Sequence, residues 1–292
     1  MRTINIVGAN GVIGSYIYKR LLKAYGSVYG TYCNNLPIDI NDSGNNIFLD
    51  ITNRELLEKV FLSFDGSLVI LLSSLKDVKK CEADYENACK INTWPIRQII
   101  DLIKVNKLDI KLVYFSSDYV FEGTKGHYGP FDPLYPKTNY GRTKALAEQY
   151  LRESDLDYKI IRTSAVMGPR APFYTWLLNA INNEDQIELF NNVYFTPTPI
   201  NFLYDVILNI VGNYEKISDT ILHIVGEKRL SRFEFAEKIN SLFTKKARLI
   251  PIEKDLSIDT FQYDLSMIQS LYVKNLQNKT LFEYLKELAT HS

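Results

Sequence analysis

The sequence predicts an α/β fold: a doubly wound parallel sheet with a smaller C-terminal domain. Short β-rich runs alternate with longer stretches of helical period through the first half of the chain. Several runs, such as SLVILL at 67–72, are apolar on both faces, which suits strands covered by helices on each side. The first run ends in a glycine-spaced turn that leads directly into an amphipathic helix.

The first strand, 3–7, is followed by Gly8, Asn10, Gly11, Val12, Ile13 and Gly14, and then by helical period. Glycines at this spacing let the chain turn tightly and bring backbone N–H groups against a pyrophosphate at the positive end of a helix. Gly26 closes that helix, where a left-handed residue is wanted. The second strand, 27–32, carries Thr31 and runs into Cys33 and Asn34 with no acid. Dinucleotide-binding folds hold the ribose hydroxyls with a carboxylate at this place. Without one, the 2′-phosphate of NADP(H) meets no repulsion, yet no Arg or Lys stands there to receive it. The reading is NADP(H) or NAD(H), with a slight lean to NADP(H).

A third strand at 46–50 precedes DITNRELLEKVF, where Thr52 and Glu55 have the spacing of a capping box. After the strand at 67–72, Pro95 falls inside the periodic segment 83–106, so that helix is kinked or begins anew there. Strands at 111–115 and 158–163 complete the alternation. Beyond Gly168 it weakens, and Pro169, Pro172, Pro197, Pro199 and Pro251 punctuate a mixed region. The expected dinucleotide-binding domain is 1–165, joined by about 198–215; segments 166–197 and 216–292 form the smaller substrate domain.

Bulk properties narrow the class. At 292 residues and 46% hydrophobic content the chain can fill a substantial core. Lys plus Arg equals Asp plus Glu at 34 each, which disfavours nucleic acid as a partner. No apolar run approaches the roughly 20 residues of a membrane span, and the N-terminus enters a strand without a cleavable signal, so a cytoplasmic protein is expected. Cys33, Cys81 and Cys89 form no CxxC pair and read as idle thiols. His127, His223 and His291 lack ligand spacing, so no metal is expected.

DPLYPKTNYGRTKALAEQY, at 132–150, places Tyr140 and Lys144 four positions apart on a helix. With 20 Tyr in the chain, one such pair arises readily by chance. Its company changes the reading. The glycine turn, LDIT at 49–52, SSDYVFEGTKG at 116–126, YGRTKALAE at 140–148, IIRTS at 160–164, FTPTPINFLYDV at 195–206 and LSRFEFAEKI at 230–239 resemble, in family order, the extended short-chain dehydrogenases/reductases and within them the dTDP-4-dehydrorhamnose reductase group.

The resemblance implies a Rossmann fold and an NAD(P)H-dependent oxidoreductase acting on the keto group of a nucleotide sugar, with a homodimer possible. It places Asp50 and Ile51 by the adenine, Leu72, Ser73 and Ser74 along the cofactor, and Asn92 on the helix behind. Ser117, Tyr140 and Lys144 match the catalytic Ser/Thr, Tyr and Lys. An ammonium one turn from the phenol would lower its pKa and ease proton exchange with a substrate oxygen, while Lys144 also holds the nicotinamide ribose and Ser117 polarises the carbonyl.

Asp118 and Tyr119 distinguish subclasses. Dehydratases have a Thr-Asp-Glu run whose carboxyls serve elimination, and Tyr119 stands in place of the Glu, so simple reduction of a 4-keto-6-deoxy-hexose is expected, with hydride to C4. Ala165 stands where a tryptophan that meets the sugar is common, Met167 where tyrosine is usual, and Gly129-Pro130 follow Tyr128 in place of x-Glu. The departures point to a related nucleotide-linked keto sugar rather than dTDP-4-dehydrorhamnose itself. Arg170, Lys228, Arg229 and Arg232 are candidates for the diphosphate. Two alternatives stay open: a non-catalytic NADP-binding regulatory subunit, similar to the β subunit of methionine adenosyltransferase, and a sugar-nucleotide epimerase or dehydratase.

Overall fold

The structure, a computed structural model, describes residues 2–34, 45–183, 186–244, 246–255, 257 and 262–290. In the first half, β1 (Ile4–Val7), α1 (Val12–Tyr25), β2 (Val28–Tyr32), β3 (Asn46–Phe48), α2 (Arg54–Leu62) and β4 (Leu68–Leu71) are followed by α3 (Val78–Ala83), α4 (Tyr85–Asn92), α5 (Trp94–Asn106), β5 (Lys111–Ser117), α6 (Asn139–Arg152) and β6 (Tyr158–Thr163). Then come β7 (Val166–Met167), α7 (Pro172–Asn183), β8 (Gln186–Phe190), β9 (Tyr194–Phe195), β10 (Thr198–Pro199), α8 (Ile200–Asn213), β11 (Ile221–His223), β12 (Leu230–Ser231), α9 (Arg232–Asn240), β13 (Arg248–Ile252), α10 (Leu271–Leu276) and α11 (Leu281–Thr290).

The central sheet has seven strands in the order β3-β2-β1-β4-β5-β6-β11. β1 runs parallel to both β2 and β4, β2 to β3, and β4 to β5. This is the expected doubly wound sheet, and its order reverses between β1 and β4. Leu57 and Phe61 of α2, Ile96, Ile99, Ile100 and Ile103 of α5, and Ala147 and Leu151 of α6 pack on Val69, Leu112 and Tyr114 of the sheet. Each large apolar side chain buried there stabilises the fold by about 1.5–3 kcal/mol.

Local chemistry sets the helix ends. Gly26 terminates α1 at φ 73°. The segment expected to kink or restart at Pro95 restarts: α4 ends at Asn92, and α5 carries the proline in its first turn. The capping box expected at Thr52 does not form. Asn53 caps α2 by accepting from Leu56 N, because the Thr52 hydroxyl and amide both donate to Asp50 Oδ1.

The chain divides into two compact units. The first comprises 1–120, 138–161 and 211–221, and the second 121–137, 162–210 and 222–292. This division differs from the expected domain boundaries: most of α8 groups with the second unit, and β11 is shared. The second unit holds three two-stranded sheets, β10-β7, β12-β9 and β13-β8. In it, the Tyr128 hydroxyl accepts from the amides of Gly123, Thr124 and Lys125, so one side chain folds the loop before it. Among the described residues no helix is long and apolar enough to cross a membrane.

Candidate active site

The glycine turn leaves β1 and the ribbon 72–77 leaves β4, at the two carboxyl ends that flank the reversal of strand order. Such a switch point opens a crevice beyond the strand ends. Leu72 N donates to Val7 O at 2.9 Å, tying ribbon to turn. Gly8 has φ 89°, and a Cβ on it would come within 2.9 Å of Ser73 N. A Cβ on Gly14 would collide with the Gly8 carbonyl oxygen. α1 has Gly11 at its cap and no side chain accepting from its first turn, so the N–H groups of that turn are presented at the positive helix end. Ser74 Oγ, on the adjacent ribbon, is buried without a hydrogen-bond partner. A floor cleared of side chains, an uncapped helix start and an unsatisfied hydroxyl fit a dinucleotide's phosphates and riboses.

Other residues expected at the cofactor have protein partners. The Thr31 hydroxyl accepts from Gly8 N at 3.1 Å and its carbonyl from Ala9 N at 2.9 Å, so Thr31 shapes the glycine turn. Asp50 directs Oδ1 to Thr52, and Ile51 is part of the core. The Asn92 amide donates to Leu75 O and Thr143 Oγ1 and accepts from Leu75 N. Both amide hydrogens are committed within the protein, so Asn92 ties the ribbon to α6.

Ser117 ends β5 and Tyr140 lies in the first turn of α6, whose cap is Thr138, accepting from Gly141 N. The Ser117 hydroxyl lies close enough to Tyr140 to favour its phenolate form. Ser117 Oγ donates to Asp118 Oδ1 at 2.9 Å and accepts from Tyr119 N at 3.3 Å. Tyr119 meets Tyr140 edge-on, with ring centroids 5.6 Å apart. Ser117, Asp118, Tyr119 and Tyr140 therefore form one constellation.

The expectation that Lys144 lowers the phenol's pKa is corrected. Desolvation pushes Tyr140 well above the usual phenol range; the Ser117 hydroxyl opposes that shift, while the Asp118 carboxylate adds to it. Tyr140 as a whole is half-buried. Lys144 Nζ turns away, donating to Phe115 O at 2.6 Å and lying 4.5 Å from the centre of the Tyr114 ring. Burial pulls Lys144 down to about 7, against the opposing influence of Glu148.

The candidate substrate residues Ala165 and Arg170 belong to the second unit. Ala165 O accepts from Thr198 N, and Arg170 is exposed with φ 68°, a left-handed backbone uncommon outside glycine. Of the candidate diphosphate cations, Arg229 pairs with Asp264 and stacks on Tyr194, Arg232 stacks on Phe195 and Phe173, and Lys228 lies over Phe282. Sequence reasoning passed over Thr143 and Glu148. For Glu148 the signal was present in the four-residue spacing 140, 144, 148, which sets it on the same helix face as Lys144.

The family model described as RmlD substrate binding domain matches residues 1–262. A probable low-salt glycan biosynthesis reductase, Agl14, of Haloferax volcanii is 29% identical over 254 residues, spanning 84% of this chain and 81% of that protein. A dTDP-4-dehydrorhamnose reductase of Aggregatibacter actinomycetemcomitans is 26% identical over 242 residues, with 81% and 77% covered. The crystal structure of a dTDP-4-dehydrorhamnose reductase from Bacillus anthracis in complex with NADP superposes with a TM-score of 0.83 at 23% identity, over the full length of both chains.

Proposed function

Because the chain belongs to the RmlD substrate binding domain family, we propose that it is an NAD(P)H-dependent reductase of a nucleotide-linked 4-keto-6-deoxy sugar. The observation that carries the reading is the meeting of Tyr140 with the Ser117–Asp118–Tyr119 segment at the carboxyl end of β5, where the Tyr119 and Tyr140 rings lie 5.6 Å apart, with Lys144 one helical turn behind. When bound, NAD(P)H supplies the hydride to C4. The glycine turn and the first turn of α1 would hold its diphosphate, and Ser73, Ser74 and Lys144 its nicotinamide half.

A buried phenol with a raised pKa is fully protonated near neutrality, which suits a proton donor. As hydride arrives, the carbonyl oxygen becomes an alkoxide, basic enough to take the proton from such a phenol. Ser117 turns its hydroxyl from Asp118 to that oxygen and stabilises the developing charge. Tyr140 gives up its proton to that oxygen, while Lys144, anchored on the Phe115 carbonyl one turn away, serves the cofactor. Tyr119 takes the place where a dehydratase has its second carboxyl, so the site offers reduction without elimination of water.

The missing acid at Tyr32, Cys33 and Asn34 favours NADPH over NADH; residues 35–44 lie outside the described residues. The fold neighbour from Bacillus anthracis, solved with NADP, supports the same assignment. Ala165 leaves more room at the sugar than a tryptophan would, in keeping with a substrate other than dTDP-4-dehydrorhamnose. The test is consumption of NADPH and NADH against a panel of dTDP-, GDP-, UDP- and CDP-linked 4-keto-6-deoxy sugars. Turnover of at least one, faster with NADPH, is expected. Inertness towards all of them, with a partner enzyme co-purifying instead, would contradict the reading.

A further inference from the structure

Glu148 is fully buried, at 0% exposure, on a helix whose polar residues mostly face outward. A carboxylate placed there is costly without compensation. It lies one turn beyond Lys144, itself 3% exposed, so a carboxylate and an ammonium share the buried face of α6. That face packs on β5, where the Tyr114 ring lies against Lys144 Nζ and the Tyr114 hydroxyl is buried without a hydrogen-bond partner.

The groups around this pair leave Glu148 as the acid behind Lys144. On α6 itself, Tyr140 lies one turn before the lysine and Arg152 one turn after the glutamate, at the exposed end. From β5 comes Tyr114, and from β6 Tyr158, both phenols raised first by burial and further by the Glu148 carboxylate. Asp118 and Tyr119, after β5, face Tyr140. On α3, Glu82 accepts from Asn139 N at the start of α6, and Cys81 lies near the tyrosine. Tyr85 and Cys89 of α4 interact with each other, and Arg97 of α5 stacks on Tyr150.

We propose that Glu148 is a positioning residue that keeps Lys144 in its ammonium form within the desolvated crevice and thereby sets the upper pH limit of the site. The inference rests on the reductase reading, in which Lys144 must be charged to hold the cofactor. Burial alone draws Lys144 toward neutrality, and the carboxylate one turn away opposes it. Replacing Glu148 removes that opposition. The lysine then loses its proton at lower pH, and whatever depends on the ammonium is lost there too.

The test is an NMR titration of the ligand-free full-length chain carrying 13Cε-lysine, with the Lys144 signal assigned by its absence in Lys144→Arg. In Glu148→Gln the Lys144 midpoint is expected to fall by about one pH unit, and the alkaline loss of NADPH binding should move down with it. A folded Glu148→Gln with an unchanged or higher midpoint would reduce Glu148 to a structural anchor and overturn the proposal. Should Gln fail to fold, Glu148→Asp withdraws the charge by one methylene and should lower the midpoint by less; a midpoint at or above wild type would equally overturn it. The titration needs no sugar substrate, so a shifted Lys144 in a chain inert to every keto sugar would sink the reductase reading and leave the coupling standing.

Discussion

Lys144 shows how a residue can be identified from sequence while its state cannot. The four-residue spacing from Tyr140 and the surrounding motifs mark it out. Its direction is decided by a neighbouring strand: the Phe115 carbonyl takes the ammonium, and the Tyr114 ring lies beneath it. A pairwise rule for two helix neighbours foresees mutual attraction, and burial of both outweighs that rule. Thr31 and Asn92 tell the same story, since polar side chains near a ligand site are read from sequence as ligand contacts although backbone groups claim them first. Lys144→Ala should weaken NADPH binding on the order of 10–100-fold, corresponding to the ~1.5–3 kcal/mol of a hydrogen bond to a charged group, and should slow turnover as well. Calorimetric affinity equal to wild type would remove the lysine from the cofactor.

At the scale of elements, periodicity and punctuation placed the first six strands and marked a kink or restart at Pro95; the structure takes the restart, because a proline's missing N–H costs nothing in the first turn of a new helix. The cap of α2 was one residue off. Thr52 and Asn53 are both good caps, and the choice fell to Asp50, a residue outside the helix that engages the threonine. On the proposed reading, cofactor binding depends on the glycine turn. Gly14→Ala would press a methyl into the Gly8 carbonyl, so a loss of about 1–3 kcal/mol in stability is expected, together with a marked loss of NADPH affinity by fluorescence titration. Wild-type affinity in a folded Gly14→Ala would mean that the pyrophosphate lies elsewhere.

Over the whole molecule, the doubly wound sheet was legible because its first six strands announce themselves locally, whereas its edge strand β11, expected in the smaller domain, and the boundary of the units depend on which distant segments close over the chain. The second unit carries its own buried titratable core. His223 donates through Nδ1 to Ile268 O, leaving Nε2 to accept from Arg162, and burial with the neighbouring guanidinium lowers it to about 3. An unfolded chain protonates this residue near pH 6.5 and the folded one does not until about 3, so stability is retained above 6.5 and lost as pH falls through that window, by up to about 1.4 kcal/mol per pH unit. His223→Asn should flatten the decline in melting temperature between those limits; an unchanged slope would place acid sensitivity in other groups.

The proton handed from Tyr140 to the substrate oxygen is the step on which the functional account stands. The measurement that meets it most directly is NADPH consumption by Tyr140→Phe on whichever nucleotide keto sugar wild type turns over fastest, with cofactor affinity determined on the same samples. Turnover is expected to fall by about 10²–10⁴-fold while affinity stays within a factor of a few. Turnover near that of wild type, with the cofactor equally well bound, would contradict it.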